Sequence, residues 1–385
     1  VAFSARAREL KYAGRDVVAL SAGEPDFDTP EHIRQSAHQA IQDGHTHYTV
    51  VEGISELRQA ICGKLKRDNN LNYEIDQVSV SSGGKQVIFN ALMATLELGD
   101  EVIIPAPYWV SYPDIALLFG GNPVIVETRE RDGFCMTAEA LEAAITPRTR
   151  WVILNSPSNP SGAMYSESDF KALGEVLLRH PHVWVMTDDI YETIVYGENR
   201  FFSFAQAVPE LVDRTLTING LSKSYAMTGW RVGYGAGDRE LIRAMNKIQG
   251  QSTLHTCSVA QWAAVAALNG SGEDVESMRV SFERRRNTTL ASLDAIDGIH
   301  CFPPDGAFYL FVSIEDQLNS VSAGGSEIRS DHDWVMALLE EQGVALVPGS
   351  AFGTPGYFRL SFAAADDQLA LACERIAEFS VSLRR

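Results

Sequence analysis

The 385-residue sequence predicts an α/β protein built on a mostly parallel sheet, and three observations carry that expectation. Short apolar runs alternate with helix-period patterns through most of the chain. The runs are bounded by Gly, Pro, Asn and Asp. Unusual polar residues cluster just after them, where an open parallel sheet binds ligands beyond the carboxyl ends of its strands.

The strand-like runs cover 77–81, 101–104, 123–127, 151–154, 183–187 and 215–218. Across 85–98, Val87, Ile88, Ala91, Leu92, Thr95 and Leu96 recur on one helical face, and Gly99-Asp100 ends the element. A second helix over 166–179 stops at His180-Pro181, because the residue before a proline is pushed out of the helical region. From about Glu273 the pattern changes to a long polar helix, strands near 307–312, 344–347 and 357–362, and a terminal helix near 366–382. This predicts a smaller α+β domain to which the first twenty or so residues return. The expected division is 26–288 for the large domain, and 1–25 with 289–385 for the small one. The Ser/Gly-rich stretch 319–326 reads as a surface loop.

Composition narrows the partners. With 45% hydrophobic residues the chain can bury the cores of two domains. A net charge of −18 disfavours nucleic acid or an anionic membrane, which need clustered basic surface. No run approaches the roughly 18 apolar residues that cross a bilayer, and no charged-then-apolar leader is expected. The sequence opens on Val1, so a preceding segment is expected to have been removed or left unseen. Five widely spaced cysteines lack metal-ligand spacing and read as reduced thiols of a cytoplasmic protein.

The chemistry concentrates in Ser222-Lys223-Ser224-Tyr225-Ala226-Met227-Thr228-Gly229-Trp230-Arg231. A lysine in such a turn can form a Schiff base with an aldehyde, while Ser222, backbone amides and Arg231 offer donors to an attached phosphate. Pyridoxal phosphate carries both groups. Of the seven lysines, Lys11, Lys64, Lys66, Lys171 and Lys247 read as solvated helix faces, leaving Lys85 and Lys223.

The other strand ends add to this. Ser82-Gly83-Gly84-Lys85-Gln86 opens a helix whose free amides suit a phosphate, although Gly-Gly is also common turn chemistry. Trp109, in a proline-stiffened turn, can stack on a planar heterocycle or serve as a core or interface tryptophan. Asn155 and Asn159 lie among prolines that limit their freedom. Asp188-Asp189 ends a buried strand and needs a cation such as a protonated pyridine nitrogen, unless it caps a helix; Tyr191 can donate to a nearby phenolate oxygen. In the strand 357–362, period-two alternation places Phe358, Leu360 and Phe362 on a buried face and Arg359 on the other. There it can grip a carboxylate or form a structural salt bridge.

Together these residues resemble the class I aminotransferases of the aspartate aminotransferase family, pyridoxal-phosphate enzymes of fold type I. The resemblance covers nearly the whole chain, from Ser21-Ala22-Gly23-Glu24-Pro25 to Arg359, and is closest to the bacterial branch carrying Gly-Gly-Lys-Gln, here at Gly83 to Gln86. It implies a seven-stranded sheet in the large domain and a homodimer. It also implies that Lys223 binds the cofactor covalently and moves the substrate proton, and that Asp188 keeps the pyridine nitrogen protonated. Asn159 and Tyr191 would bond the ring hydroxyl, and Trp109 would stack on the ring. Arg231, Ser222 and the amides of Gly84 and Lys85 would bind the phosphate, with Tyr48 reaching it across the dimer interface. Arg359, Asn159 and the Gly23 backbone would hold the α-carboxylate. Lys85 would meet the second carboxylate of an acidic substrate, which implies aspartate or glutamate as donor to a 2-oxo acid. Prephenate, another dicarboxylate, is the alternative substrate, and an aromatic aminotransferase or a C–S β-lyase the alternative enzyme. A cofactor-sensing regulator fused to a DNA-binding module is disfavoured by the acidic surface. Two features depart from the pattern: Gly220 stands where some relatives place a phosphate-binding serine, and a segment before Val1 would help close the active site.

Overall fold

A computed structural model describes residues 2–384, with side chains from Ala5 onward. Its centre is a seven-stranded sheet. The strands are β1 (Val78–Ser81), β2 (Glu101–Ala106), β3 (Asn122–Glu127), β4 (Thr149–Asn155), β5 (Trp184–Asp188), β6 (Thr215–Gly220) and β7 (Gly233–Ala236). They lie in the order β1-β7-β6-β5-β4-β2-β3, with β7 antiparallel to both neighbours and the other neighbouring pairs parallel. Six strands match the apolar runs. The seventh, β7, hides in the Gly-rich tail of the Lys223 motif, where Val232-Gly233-Tyr234 is too short to stand out as a run.

Helices cover both faces of the sheet, so its central strands are buried along their length, as parallel strands require. The helix Gly84–Thr95 buries Val87, Ile88, Ala91 and Leu92, and ends at Leu96, short of the Gly99-Asp100 stop expected for it. Glu167–Arg179 begins at Ser166, whose hydroxyl accepts from the Asp169 amide in a capping box, and stops at His180.

The second layer is a four-stranded antiparallel sheet of Val347–Pro348, Tyr357–Ser361, Tyr309–Ser313 and His300–Phe302. The N-terminal segment joins it: Val18 pairs in parallel with Val344, and the Ser361 amide donates to the Leu20 carbonyl. The stretch expected as a loop at 319–326 contributes to a short hairpin, Ser320–Val321 with Glu327–Ile328. The alternation at 357–362 is overtaken by packing, because Arg359 and Ser361 are buried along with Phe358, Leu360 and Phe362. Among the described residues no helix is long and apolar enough to cross a membrane.

One expectation fails outright. Lys11, Lys66, Lys171 and Lys247 are exposed, but Lys64 is 3% exposed. The helix Ser55–Asn69 presents it on the same side as Leu57, Ala60 and Ile61, against the end of β5, where Glu192 receives it.

Trp334 anchors the smaller sheet: fully buried, it stacks on Phe358 at 5.1 Å and donates its indole N–H to Gln317 Oε1 at 2.9 Å. Trp334→Ala is expected to cost about 3–5 kcal/mol through the cavity and the lost hydrogen bond to Gln317, whose Oε1 keeps only the Ser380 hydroxyl. A clearly lowered urea midpoint for the mutant checks it; an unchanged midpoint refutes the anchoring role.

Candidate active site

Five strand ends deliver polar groups to one crevice. Each strand runs largely buried and then turns, so a side chain near its end is held by the sheet close to the opening.

Asp188 is the last residue of β5. It is not a helix cap; a turn follows it. Its Oδ2 accepts from the Tyr112 hydroxyl at 2.8 Å, and Asn155 at the end of β4 donates to its backbone carbonyl at 2.7 Å. Burial lifts the carboxyl to about pKa 6, against the pull of Tyr112, the Ile190 amide and Lys223. A cation arriving beside it would restore its charge.

Lys223 projects toward the segment that follows Leu20, donating from Nζ to the Gly23 carbonyl at 2.5 Å. Burial is the main cause that pushes its amine down from 10.5 to about 8, with Arg359 and Arg231 adding repulsion and Glu24 opposing. An amine with that pKa is partly unprotonated near neutral pH, the form that attacks an aldehyde. The segment is held in place by Thr29, which donates to the Ala226 carbonyl at 2.6 Å, and by Thr228, which donates to Glu24 at 2.9 Å. Gly23 fits only as glycine: a Cβ there would lie 2.6 Å from the Tyr309 hydroxyl.

Arg359 is 7% exposed, and among the described residues no carboxylate pairs with it. It donates to Asn159 Oδ1 at 2.8 Å and to the Ser21 carbonyl at 2.7 Å, while its Nε has no partner. Tyr309 and Phe352 flank the guanidinium at 4.5 and 5.0 Å from their ring centres. The salt-bridge account of this residue therefore falls. A buried guanidinium held by neutral acceptors has its charge left for an anion that comes and goes.

At the other side, Arg231 adopts φ 56° and donates to the Thr228 and Ser82 carbonyls at 2.8 and 3.3 Å, again with no acidic partner among the described residues. It lies against the first turn of Gly84–Thr95, whose amides lack intrahelical acceptors. Gly83 at φ +90° lets the two approach, since a Cβ there would stand 2.4 Å from Arg231 Nη2. An open cavity of about 620 Å³ adjoins them, lined in part by Ser82, Trp230 and Cys257. Ser222 is buried beside this loop. Trp109 is half-buried, edge-on to Tyr112 at 5.3 Å, and carries the Lys85 ammonium 4.8 Å from its ring centre. Tyr191 is buried and shares a 2.8 Å hydrogen bond with Tyr309. Tyr48 is 87% exposed and meets His255 edge-on at 5.7 Å.

Sequence reasoning gave no role to Tyr112 or Tyr309. Asn155 is marked there only as an amide aimed by its prolines at a fixed acceptor, which is the Asp188 carbonyl; Tyr112 could have been found by its one-turn spacing from Trp109. Tyr309 carries no such mark, being one aromatic among several in a buried strand. The donor set fits a planar aromatic aldehyde bearing a phosphate: an amine of lowered pKa, a buried acid near one end, and an unpaired arginine beside a helix start at the other.

In the ligand-free protein the folded Lys223 binds fewer protons than the unfolded chain between pH 8 and 10.5, so its contribution to stability rises with pH across that window. Melting curves of wild type and Lys223→Met should therefore differ in slope, wild type gaining stability relative to the mutant from pH 8 to 10. Parallel slopes would refute the lowered pKa.

The family model for aminotransferase class I and II matches residues 15–376. An aspartate/prephenate aminotransferase of Cereibacter sphaeroides is 54% identical over 383 residues, spanning 100% of this chain and 96% of its own length. The crystal structure of the aspartate aminotransferase from Rhizobium meliloti superposes with a TM-score of 0.97 at 52% identity, covering 99% of this chain and 95% of that one. The aspartate aminotransferase from Thermus thermophilus with maleate gives 0.92 at 41%, covering 98% and 95%. With the family's architecture and a model match across nearly its whole length, the chain belongs to the class I and II aminotransferases, enzymes of fold type I.

Proposed function

We propose that this aminotransferase uses pyridoxal phosphate to move the amino group of aspartate or glutamate to a 2-oxo acid. The observation that carries the reading is Arg359, a buried guanidinium with no acidic partner among the described residues, in the same crevice as the Lys223 amine. An α-amino acid presents a carboxylate and an amine on one carbon: Arg359 would receive the carboxylate, which would bring the amine to the aldehyde carbon attached at Lys223.

When bound, the cofactor supplies an aldehyde carbon and an electron-withdrawing ring that accepts the electrons left as the substrate Cα–H bond breaks. Lys223 would attach it and would carry the proton removed from Cα. Asp188, held by Tyr112, would keep a proton on the ring nitrogen, Asn159 and Tyr191 would donate to the ring hydroxyl, and Trp109 would pack on the ring. Arg231, Ser222 and the Gly84 and Lys85 amides would hold the phosphate. Arg359, Asn159 and Gly23 orient the α-carboxylate.

Lys85 is exposed, and among the described residues no acid pairs with it, which supports its meeting a second carboxylate. Maleate on the Thermus thermophilus relative is a four-carbon dicarboxylate, in keeping with this. The relatives' names favour amino-group transfer over the C–S β-lyase alternative. Exposed Tyr48 supports a homodimer in which it serves the partner's phosphate. Five free cysteines support the cytoplasm. The pairing of Val18 with Val344 supports a small domain of 1–25 and 289–385 beside the large domain of 26–288.

Three experiments test this. Absorbance of the pyridoxal phosphate-loaded protein should convert on adding L-aspartate and revert with 2-oxoglutarate; reversal by prephenate would widen the acceptor range. Lys223→Ala should lose both conversion and any borohydride-trapped adduct, and an adduct retained on another lysine refutes the assignment. Lys85→Ala should lower kcat/KM for aspartate by about tenfold or more while sparing alanine; equal losses would mean that Lys85 serves only the phosphate.

A further inference from the structure

The buried Lys64 has no place in the site described above, yet it meets the segment that carries two of its residues. Its Nζ donates to Glu192 Oε1 and, at 2.7 Å, to Asn69 Oδ1. Asn69 donates to Glu192 Oε2 at 2.8 Å, and Asn219 of β6 donates to Oε1 at 2.7 Å. Both Glu192 oxygens are thus fixed by donors from two elements, the helix Ser55–Asn69 and the strand β6.

Glu192 closes the turn that begins at Asp188. The Asp189 amide donates to the Ile218 carbonyl at 2.9 Å, the Glu192 amide to the Asp189 carbonyl at 2.9 Å, and the Ile194 amide to the Tyr191 carbonyl at 2.8 Å. Thr193 then donates to Ser224 at 2.7 Å, joining the turn to the loop that bears Lys223. Tyr191 therefore sits between a backbone anchor at Asp189 and a side-chain anchor at Glu192, and Asp188 directly precedes the first of them.

An apolar pair of similar volume would fill this space without the desolvation penalty of two buried charges, so stability alone is a poor reason for the arrangement. Directed hydrogen bonds provide what apolar contacts cannot, a fixed rotation and register for the turn. We propose that Lys64 and Glu192 are a positioning pair that holds the Asp188–Tyr191 turn against the ring of the bound cofactor. The inference rests on the proposed function for what occupies the crevice; the clamp itself is made by this chain's residues.

The test separates positioning from packing. In a Lys223→Ala background, where the cofactor is held without a covalent bond, pyridoxal phosphate affinity is measured by equilibrium dialysis for the parent, Lys64→Met and Glu192→Gln. The pair predicts about tenfold weaker binding for each single variant at temperatures well below its melting point. In proteins retaining Lys223, the pH at which bound-cofactor absorbance changes should also shift. Should Lys64→Met fail to fold, the double variant Lys64→Met/Glu192→Gln leaves no charge orphaned. It should recover melting temperature yet remain at least about fivefold weaker in affinity. Affinity and absorbance midpoint equal to the parent's in the folded variants would overturn the positioning role. Failure of both the parent and wild type to bind pyridoxal phosphate would overturn the proposed function, and the clamp's purpose with it.

Discussion

The constraint on which the crevice depends is the burial of Asp188 at the carboxyl end of the central strand β5. A carboxylate there loses its water, and only Tyr112, the Ile190 amide and Lys223 offset the loss, so its pKa rises to about 6. The surroundings follow from that need. Asn155 fixes the backbone of Asp188 and, through the Asn159 amide that it accepts at 2.8 Å, fixes the neighbouring loop as well. Asn159 in turn holds Arg359. A single run of hydrogen bonds thus leads from the buried acid to the arginine on the other sheet.

Three charged groups of the crevice share a property that ordinary folding would select against. Asp188 has no full counter-charge, while Arg359 and Arg231 have no acidic partner among the described residues. The two buried groups, Asp188 and Arg359, destabilise the empty protein and gain when a ligand supplies the opposite charge, while the exposed Arg231 keeps its charge hydrated until an anion arrives. Their placement sorts the ligand's ends by chemistry, with a cation wanted at Asp188 and anions at the two arginines.

The contrast with Lys64 and Glu192 is instructive. That pair is buried but mutually paired, with Asn69 and Asn219 adding hydrogen bonds. A charge met within the fold serves geometry; a charge without a counter-charge serves binding.

The sequence by itself determined the parallel sheet, six of its seven strands, and the identity of most crevice residues. Strand burial and helix amphipathicity are written in residue spacing, and Lys223, Arg231, Asp188 and Asn159 follow strands closely enough to be located by counting. Tertiary structure alone decided the rest. Whether Arg359 has an acidic partner depends on what four distant segments bring near it, which no local pattern records. Lys64 reads as a solvated lysine because its own helix is charged on either side; only the approach of Glu192, 128 residues away, turns that position inward. Tyr309 and Tyr112 acquire their roles in the same way, through hydroxyls that meet Tyr191 and Asp188 across the fold. Periodicity reports which face an element buries, whereas partnership between polar atoms is fixed by long-range contacts.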